Sequence, residues 1–217
     1  AGVVGGTMSQ LRDTFGELRR YPHTLTFLLA YLFFNDGIQT VITSASLYGT
    51  EALGFDTAQL TITILVVQFV AFFGALFFGF VAGRLGAKKT VLAGIVMWTL
   101  VVAFAYFVPR GAFTVWLVCA VLIGTVMGGT QALSRSLYSQ LVPRGRESEF
   151  FSFYQAMERG TSWFGTLAFG LTYQLTGSYR PAILVTIVFF VVGGLILTRV
   201  RMREGIAAAG NEQPRIV

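Results

Sequence analysis

Six apolar stretches, each long enough to cross a bilayer, constrain most strongly what this chain can fold into. Crossing the hydrocarbon core takes about 20 residues of α-helix. Backbone groups at that depth must be paired within the protein, which favours helices. Glycine, proline and clusters of charge separate the stretches, which cover residues 25–48, 58–82, 90–108, 113–141, 150–175 and 181–198. The sequence therefore predicts an all-α membrane protein with six transmembrane helices.

The composition excludes soluble, disordered and disulfide-rich classes of protein. Hydrophobic residues make up 54% and charged residues 12% of the 217 positions, whereas soluble domains have about 25% charged residues. The 25 glycines include the spacings Gly79 to Gly83 and Gly124 to Gly128. These spacings favour close helix packing, with hinge bending as the alternative. Cys119 lies within an apolar stretch and is predicted to pack rather than to react.

The segments that flank the apolar stretches are short. Apolar side chains recur at helical spacing at Leu11, Phe15 and Leu18, so residues 1–20 are predicted to be an amphipathic cytoplasmic linker that lies on the membrane surface. The alternative is a solvated linker helix. Residues 204–217 show no apolar period and are predicted to be a disordered cytoplasmic tail. Residues 21–203 then form the transmembrane domain. Because the chain begins with Ala, we expect an excised or processed segment.

Lysine and arginine accumulate at alternate ends of the stretches. Eleven of them fall on one side, and only Arg110 and Arg180 fall on the other. Short cytoplasmic loops carry the excess of positive charge. Both termini are therefore predicted to be cytoplasmic, in a bacterial cytoplasmic (inner) membrane.

Polar residues are distributed unevenly among the stretches. The third and sixth carry nothing more polar than threonine, so the order polar, polar, apolar occurs twice. Two three-helix inverted repeats, residues 21–108 and 109–203, would produce this order, as in secondary transporters. The predicted substrate or ion pathway comprises Asn35, Asp36, Gln39, Gln68 and Gln131, and the predicted cytoplasmic gate comprises Arg135, Glu158 and Arg159.

Each of these residues has a functional and a structural interpretation. At about 1.5 Å per helical residue, Asp36 lies near the midplane, where it would couple ions or contact a substrate amine, or be held by donors such as Asn35 or Gln39. Arg135 and Glu158 come to similar depth, so they would contact substrate, form a salt bridge that closes a gate, or extend to water. The glutamines would bind substrate or join helices.

The turn between the second and third stretches carries a recognisable glycine and lysine spacing. Its residues are Gly79, Gly83, Arg84, Gly86, Lys88 and Lys89. This spacing resembles the signature Gly-x-x-x-Asp-Arg-x-Gly-x-Lys-Lys of the major facilitator superfamily. Gly83 occupies the acidic position, a departure that bears on the interhelical charge lock which that superfamily builds there.

Four further segments resemble the "unknown major facilitator" family, which includes the autophagy-related vacuolar amino-acid effluxers. They are residues 35–40 (NDGIQT), 68–71 (QFVA), 128–136 (GGTQALSRS) and 160–163 (GTSW). The resemblance implies that the six stretches are helices seven to twelve of a twelve-helix transporter. The first and fourth would line its cavity, the second and fifth would flank it, and the third and sixth would face lipid. It also implies amino acids or similar small solutes as substrates.

The predicted function is half of a secondary active transporter, with a channel or a structural membrane oligomer as the alternative. An enzyme is not expected, because His23 is the single histidine and no serine–histidine, metal-binding or phosphate-binding pattern occurs. No cofactor, metal or nucleic acid is expected. The expected partners are a small solute, protons, the lipid bilayer, and either an amino-terminal half or a second copy of the chain.

Overall fold

The computed structural model describes residues 2–217, with side chains from Val4 onward. Over these residues the regular structure is entirely helical. The helices are α1 Gly2–Leu18, α2 Pro22–Glu51, α3 Thr57–Leu85, α4 Ala87–Tyr106, α5 Phe113–Leu141, α6 Glu147–Thr161, α7 Trp163–Thr176, α8 Tyr179–Leu184, α9 Thr186–Thr198 and α10 Met202–Ala208.

Five helical segments within the described chain are long and apolar enough to cross a membrane. They are α2, α3, α4, α5 and the segment Tyr179–Thr198, which contains α8 and α9. They correspond to five of the six predicted stretches. Among the described residues no sixth helix of spanning length occurs, because the predicted stretch 150–175 is divided between α6 and α7. With 15 and 14 residues, each is shorter than the roughly 20 residues that a span requires.

Local hydrogen bonds account for the division of this stretch at Ser162. The indole nitrogen of Trp163 donates to the carbonyl oxygen of Gly160 at 2.8 Å, and the Ser162 hydroxyl donates to the carbonyl of Arg159 at 3.2 Å. A helical carbonyl normally accepts from the amide four residues later. Side chains that donate to these carbonyl oxygens compete with the backbone hydrogen bonds of the helix, and the helix is interrupted here.

Other helix ends follow familiar sequence rules. Asp56 accepts from the Gln59 amide at 2.8 Å, and the Gln59 side chain accepts from the Asp56 amide at 3.1 Å, so α3 begins with a capping box. Pro22 occupies the first turn of α2, where its missing N–H is not needed. Gly86, with a φ of 92°, ends α3 and allows α4 to start at the next residue.

The closest helix contact joins α3 to α5. A Cβ atom added to Gly128 would overlap the Ala71 carbonyl, and one added to Gly124 would lie 2.7 Å from the Val67 oxygen. Glycine therefore lets the two backbones touch, as predicted for this pair. The prediction is wrong for Gly79 and Gly83, which face open space.

Among the five candidate spans, α3 has the smallest buried share of residues. The resemblance implied instead that the third and sixth spans, α4 and α9, face lipid. Large apolar side chains cover the outer surface of α3. The helix packs mainly against α5, and more weakly against α4, so most of its circumference contacts no other helix. The side chains on this surface are Leu65, Phe69, Phe72, Phe73, Leu76, Phe77 and Phe80.

The carboxy-terminal segment differs from the predicted disordered tail. It contains α10, whose Met202 and Ile206 are buried. Beyond it, the Asn211 amide nitrogen donates to the carbonyl oxygens of Gln140 and Val142 at 2.8 and 2.7 Å. Two apolar residues one turn apart are too few to give a sequence period, yet they bury this helix at the end of the bundle.

The helix α1 lies against α6. The Thr14 hydroxyl donates to Glu149 at 2.7 Å, and Arg146 forms ion pairs with both Glu17 and Glu149. Thr14 and Leu18 are buried. Residue 1 of the predicted linker lies outside the described residues. Over the rest, α1 is a helix that packs on the protein instead of being wholly solvated.

Candidate functional site

A cavity with polar walls lies between α2, α5 and α6. We call it the polar cavity; its volume is about 670 Å³, and its residues are Tyr31, Gln39, Gly128, Gln131, Ala132, Arg135, Tyr154 and Glu158. It contains two of the predicted pathway residues, Gln39 and Gln131, and two of the predicted gate residues, Arg135 and Glu158. The structure therefore brings together residues that the sequence separates by more than a hundred positions.

Helical spacing explains how each wall presents its residues. On α5, Gly128, Gln131, Ala132 and Arg135 lie three, four and seven residues apart and share one face. On α6, Tyr154 and Glu158 are four residues apart and also share a face. Gly128 has no side chain, and the backbone of α3 at Ala71 occupies the position that a Cβ atom would take.

Two tyrosines support the cavity. The rings of Tyr31 and Tyr154 stack with centroids 4.5 Å apart, and both residues are buried. Tyr138 packs against Tyr154 at 4.7 Å and donates from its hydroxyl to the carbonyl of Phe150 at 2.8 Å. The sequence pattern did not single out Tyr31 or Tyr154, because tyrosine in an apolar stretch is common. The signal available was the spacing of four between Tyr154 and Glu158.

The two charges of the cavity lie on different walls. Among the residues described, no ion pair within 4.0 Å joins Arg135 to Glu158. Glu158 is close enough to interact with the hydroxyls of Tyr31 and Tyr154, and Arg135 with that of Tyr154. The predicted Arg135–Glu158 salt bridge is thus not formed in this conformation. Arg159 is exposed and does not line the cavity.

Asp36 lies outside the polar cavity. Its side chain is only 4% exposed, and both carboxylate oxygens accept from the Gly165 amide, with nitrogen–oxygen distances of 3.1 and 3.2 Å. The donor is the first turn of α7, not Asn35 or Gln39 as one interpretation proposed. The carboxylate therefore faces a helix amino terminus, where negative charge is favourable.

The two remaining predicted pathway residues are placed elsewhere. Asn35 is buried, and within the described chain its Oδ1 has no hydrogen-bond partner. Gln68 lines a mainly apolar pocket of about 230 Å³ between α2, α3 and α5. In the same pocket, the Trp116 indole donates to the Thr63 hydroxyl at 3.1 Å. The five predicted pathway residues therefore occupy four different environments.

The turn between α3 and α4 makes structural contacts. The Lys88 amine donates to the carbonyl oxygens of Val200 and Thr198 at 2.6 and 3.3 Å. The Arg84 guanidinium lies over the Phe80 ring, 4.6 Å from its centroid. Lys89 is exposed. One lysine of the signature spacing thus binds the carboxyl end of α9, whereas the other is free to meet solvent or lipid head groups.

Comparison with known proteins gives a consistent picture. The family described as "Vacuole effluxer Atg22 like" matches residues 2–210. The chain is 37% identical over 195 residues to a Bacillus subtilis (strain 168) protein described as "Uncharacterized MFS-type transporter YxiO", a match covering 90% of this chain and 45% of that protein. It is 30% identical over 203 residues to "Autophagy-related protein 22" of Cryptococcus neoformans var. neoformans serotype D (strain B-3501A), covering 87% and 37%.

A further relative, "Autophagy-related protein 22-2" of Aspergillus clavatus, is 32% identical over 177 residues, which cover 76% of this chain and 29% of that protein. The chain thus spans less than half the length of these relatives. The family and the MFS-type relative are described as transporters, not enzymes, in agreement with the sequence-based expectation. Together with the five apolar helices, they identify an integral membrane protein.

Proposed function

Because the chain belongs to the Atg22-like family of vacuole effluxers, we propose that it is the carboxy-terminal half of a secondary active transporter of the major facilitator type. In this proposal α6 and α7 together form the sixth span, and the two three-helix repeats, residues 21–108 and 109–203, move a small solute by alternating access. The single observation that carries the proposal is the polar cavity between α2, α5 and α6. Polar residues inside a membrane are costly and typically mark substrate pathways.

The chemistry of the cavity suits a zwitterion such as an amino acid. The Arg135 guanidinium can bind a carboxylate through two parallel hydrogen bonds, and the Glu158 carboxylate can bind an ammonium group. Both line the same cavity without pairing to each other. Gln39 and Gln131 add donors and acceptors for polar groups. Charges of opposite sign that share one cavity and are not paired with each other support a substrate that carries both charges.

The exposure of this cavity supports a partner. An isolated bundle would present Gln39, Gln131 and Arg135 to hydrocarbon, at a cost of about 2.5–3.5 kcal/mol for a charged residue at the bilayer centre by insertion scales. The relatives are more than twice as long as the aligned segment. We therefore propose that an amino-terminal half covers the polar cavity, or, failing that, a second copy of this chain.

The orientation follows from the distribution of charge. We propose that both termini face the cytoplasm of a bacterial cell, because eleven lysines and arginines flank one side of the predicted spans. Arg135 lies six residues before the end of α5 at Leu141, on the side of the bundle that carries Arg144 and Arg146. Arg135 and Glu158 would then belong to the cytoplasmic gate. The position of Arg159 on the exposed side of α6 gives it a weaker case for that role.

Counterflow in proteoliposomes tests the proposal. The complete transporter that contains this chain is reconstituted and loaded with unlabelled solute, and uptake of labelled solute is measured over a panel of amino acids and other small solutes. We expect saturable counterflow of at least one zwitterion. Arg135→Gln and Glu158→Gln should each reduce it at least tenfold, whereas Lys89→Gln, an exposed cation outside the cavity, should leave it unchanged.

The same measurement separates the alternatives. A channel would give flux that does not saturate and shows no counterflow. A structural oligomer would give no flux. Counterflow that persists at the wild-type rate in both cavity variants would show that the polar cavity is not the substrate site.

A further inference from the structure

The junction between α6 and α7 frees a backbone donor inside the membrane. In an unbroken helix the Gly165 amide would donate to the carbonyl of Thr161, four residues earlier. Here it donates to the Asp36 carboxylate of α2 instead. The interruption at Ser162 and the contact with Asp36 therefore belong to one arrangement.

Glycine is required for this contact. A Cβ atom at position 165 would overlap the Thr40 hydroxyl oxygen and would lie 3.1 Å from the Asp36 carbonyl oxygen and from its Oδ1 atom. The Thr40 hydroxyl is itself fixed, because it donates to the Asp36 carbonyl at 2.8 Å. We call Asp36, Thr40 and Gly165 the α7 cap.

The α7 cap lies next to the proposed transport cavity. Asp36 is on α2, between Tyr31 and Gln39 of the cavity, while α6, on the other side of the junction, carries Tyr154 and Glu158. A movement of α7 relative to α6 would start at Ser162, one turn after Glu158. The state of the α7 cap can therefore change the geometry of the cavity wall that α6 forms.

We propose that Asp36 is a positioning residue whose negative charge holds α7 in the observed position, and that protonation of its carboxylate releases α7 and moves the α6 wall of the cavity. This inference rests on the proposed function, because it makes Asp36 the link between protons and the transport cavity. It does not place Asp36 in contact with substrate.

The chemical step is the transfer of one proton from hydronium to a carboxylate oxygen, which leaves a water molecule. The neutral acid no longer carries the charge that favours the amino terminus of α7. Hydrogen bonds to a charged acceptor are roughly twice as strong as neutral ones. Protonation therefore weakens the hydrogen bond from Gly165. One O–H bond of hydronium is broken and one O–H bond of the carboxylic acid is formed.

Other titratable groups do not replace Asp36 in this role. Within the described chain, the hydrogen bonds to the Asp36 side chain come from Gly165, and no ion pair reaches it. The segment of α9 that packs on α2 carries no titratable side chain. The other titratable side chains of α2 itself are His23, Tyr31, Tyr48 and Glu51. Those on the remaining helices that contact α2 are Arg12, Asp13 and Glu17 on α1, Arg84 on α3, Cys119, Arg135 and Tyr138 on α5, Glu147, Glu149, Tyr154, Glu158 and Arg159 on α6, Tyr173 on α7, Tyr179 and Arg180 on α8, and Arg203 and Glu204 on α10.

Distance measurements across the junction test this inference. The complete transporter is placed in lipid nanodiscs with spin labels at Ser152→Cys on α6 and Leu171→Cys on α7, both exposed positions. Pulsed electron paramagnetic resonance then measures the distance between them at several values between roughly pH 4 and pH 8, a range that includes ordinary and raised carboxylate pKa values. We expect the mean distance in the otherwise wild-type protein to shift with pH.

The variant Asp36→Asn keeps an oxygen that accepts from Gly165 but cannot change its charge. We expect one distance at all pH values. Should this variant fail to fold, Gly165→Ala provides a second test, because it separates α7 from a carboxylate that can still titrate, and it should also remove the shift. A matched control is Asp56→Asn, which alters another helix-capping carboxylate and should preserve the shift.

Each outcome bears on one statement. A shift that survives in Asp36→Asn, a shift lost equally in Asp56→Asn, or no shift in the wild type would overturn the inference. Counterflow on the same wild-type preparation is measured independently. Saturable counterflow with a pH-independent distance contradicts the role of Asp36 alone, whereas a pH-dependent distance without solute flux contradicts the proposed transport function alone.

Discussion

The amine of Lys88 donates to the carbonyl oxygen of Val200 at 2.6 Å, so the start of α4 holds the chain just beyond the carboxyl end of α9. Carbonyl groups at a helix end have no partner within the helix and carry partial negative charge. A lysine is suited to this position because it supplies both a donor and a positive charge. The contact joins two helices that the chain places about a hundred residues apart.

Replacing Lys88 should therefore weaken the fold. Lys88→Met keeps the length of the side chain and removes the donor, and we expect a loss of about 1–2 kcal/mol in the free energy of unfolding. Lys89→Met, a change at the exposed neighbour, should have little effect. Thermal unfolding in detergent compares the two. Equal loss in both variants would mean that general surface charge, and not this contact, provides the stability.

Alanine at Gly128 should disrupt the contact between α3 and α5. The new methyl group would overlap the Ala71 carbonyl, and overpacking of this kind costs about 1–3 kcal/mol. Gly79→Ala is the matched control, because the position is helical and faces open space. It should be neutral or slightly stabilising. Unfolding midpoints that fall equally for both would contradict the observed packing.

The proposed orientation predicts a pattern of chemical labelling. Glu51 ends α2 and Ser178 lies between α7 and α8. Single cysteines at these two positions are predicted to lie on the side of the membrane opposite to Lys89. With an impermeant thiol reagent on intact cells, we expect labelling at positions 51 and 178 and none at position 89. After the cells are opened, all three should react. Labelling of position 89 in intact cells would show that the orientation is opposite to the one proposed.

The contact of α1 with α6 should depend on pH. Hydrogen bonds from Thr14 and Arg146 stabilise the Glu149 carboxylate and lower its pKa from the ordinary value of 4.5. Because the pKa of Glu149 is lower when α1 is docked on α6 than when it is free, ionised Glu149 stabilises the docked state fully above about pH 4.5. This stabilisation is lost as the pH falls through the pKa of the docked state. A fluorophore at Met8→Cys should thus become more mobile in acid.

Glu149→Gln should remove this pH dependence and leave α1 more mobile at all pH values. Asp13→Asn, on the exposed side of α1, should preserve it. Fluorescence anisotropy at a series of pH values provides the measurement. An acid transition that persists in Glu149→Gln would assign the titration to another group.

The lengths of the apolar stretches and the helical spacing of polar residues predicted five of the spans and half of the residues of the polar cavity. Five spans follow from the length of their apolar stretches, and Gln131 and Arg135 share a face because they are four residues apart. The interruption at Ser162 could not be predicted, because it depends on the Trp163 indole and on Asp36, a residue more than a hundred positions away. No periodic pattern records contacts of this kind.

The same reasoning explains why the predicted pathway residues separated. Depth along a helix can be counted from the sequence, but rotation about the helix axis depends on which neighbours pack there. Asp36 and Gln39 lie almost one turn apart on α2, yet one faces α7 and the other faces the cavity. A three-residue step in a helix of 3.6 residues per turn leaves about 60° between them, which is enough to reach different neighbours.

The glycine contacts between α3 and α5 give the two walls of the polar cavity unequal stiffness. Gly74, Gly124 and Gly128 bring the backbones of α3 and α5 into direct contact, so bending α5 requires bending two helices at once. The α6 wall ends at Ser162 and has no such support. If a solute binds in the proposed site, we therefore expect it to displace α6 more readily than α5, so that Gln131 and Arg135 keep their positions.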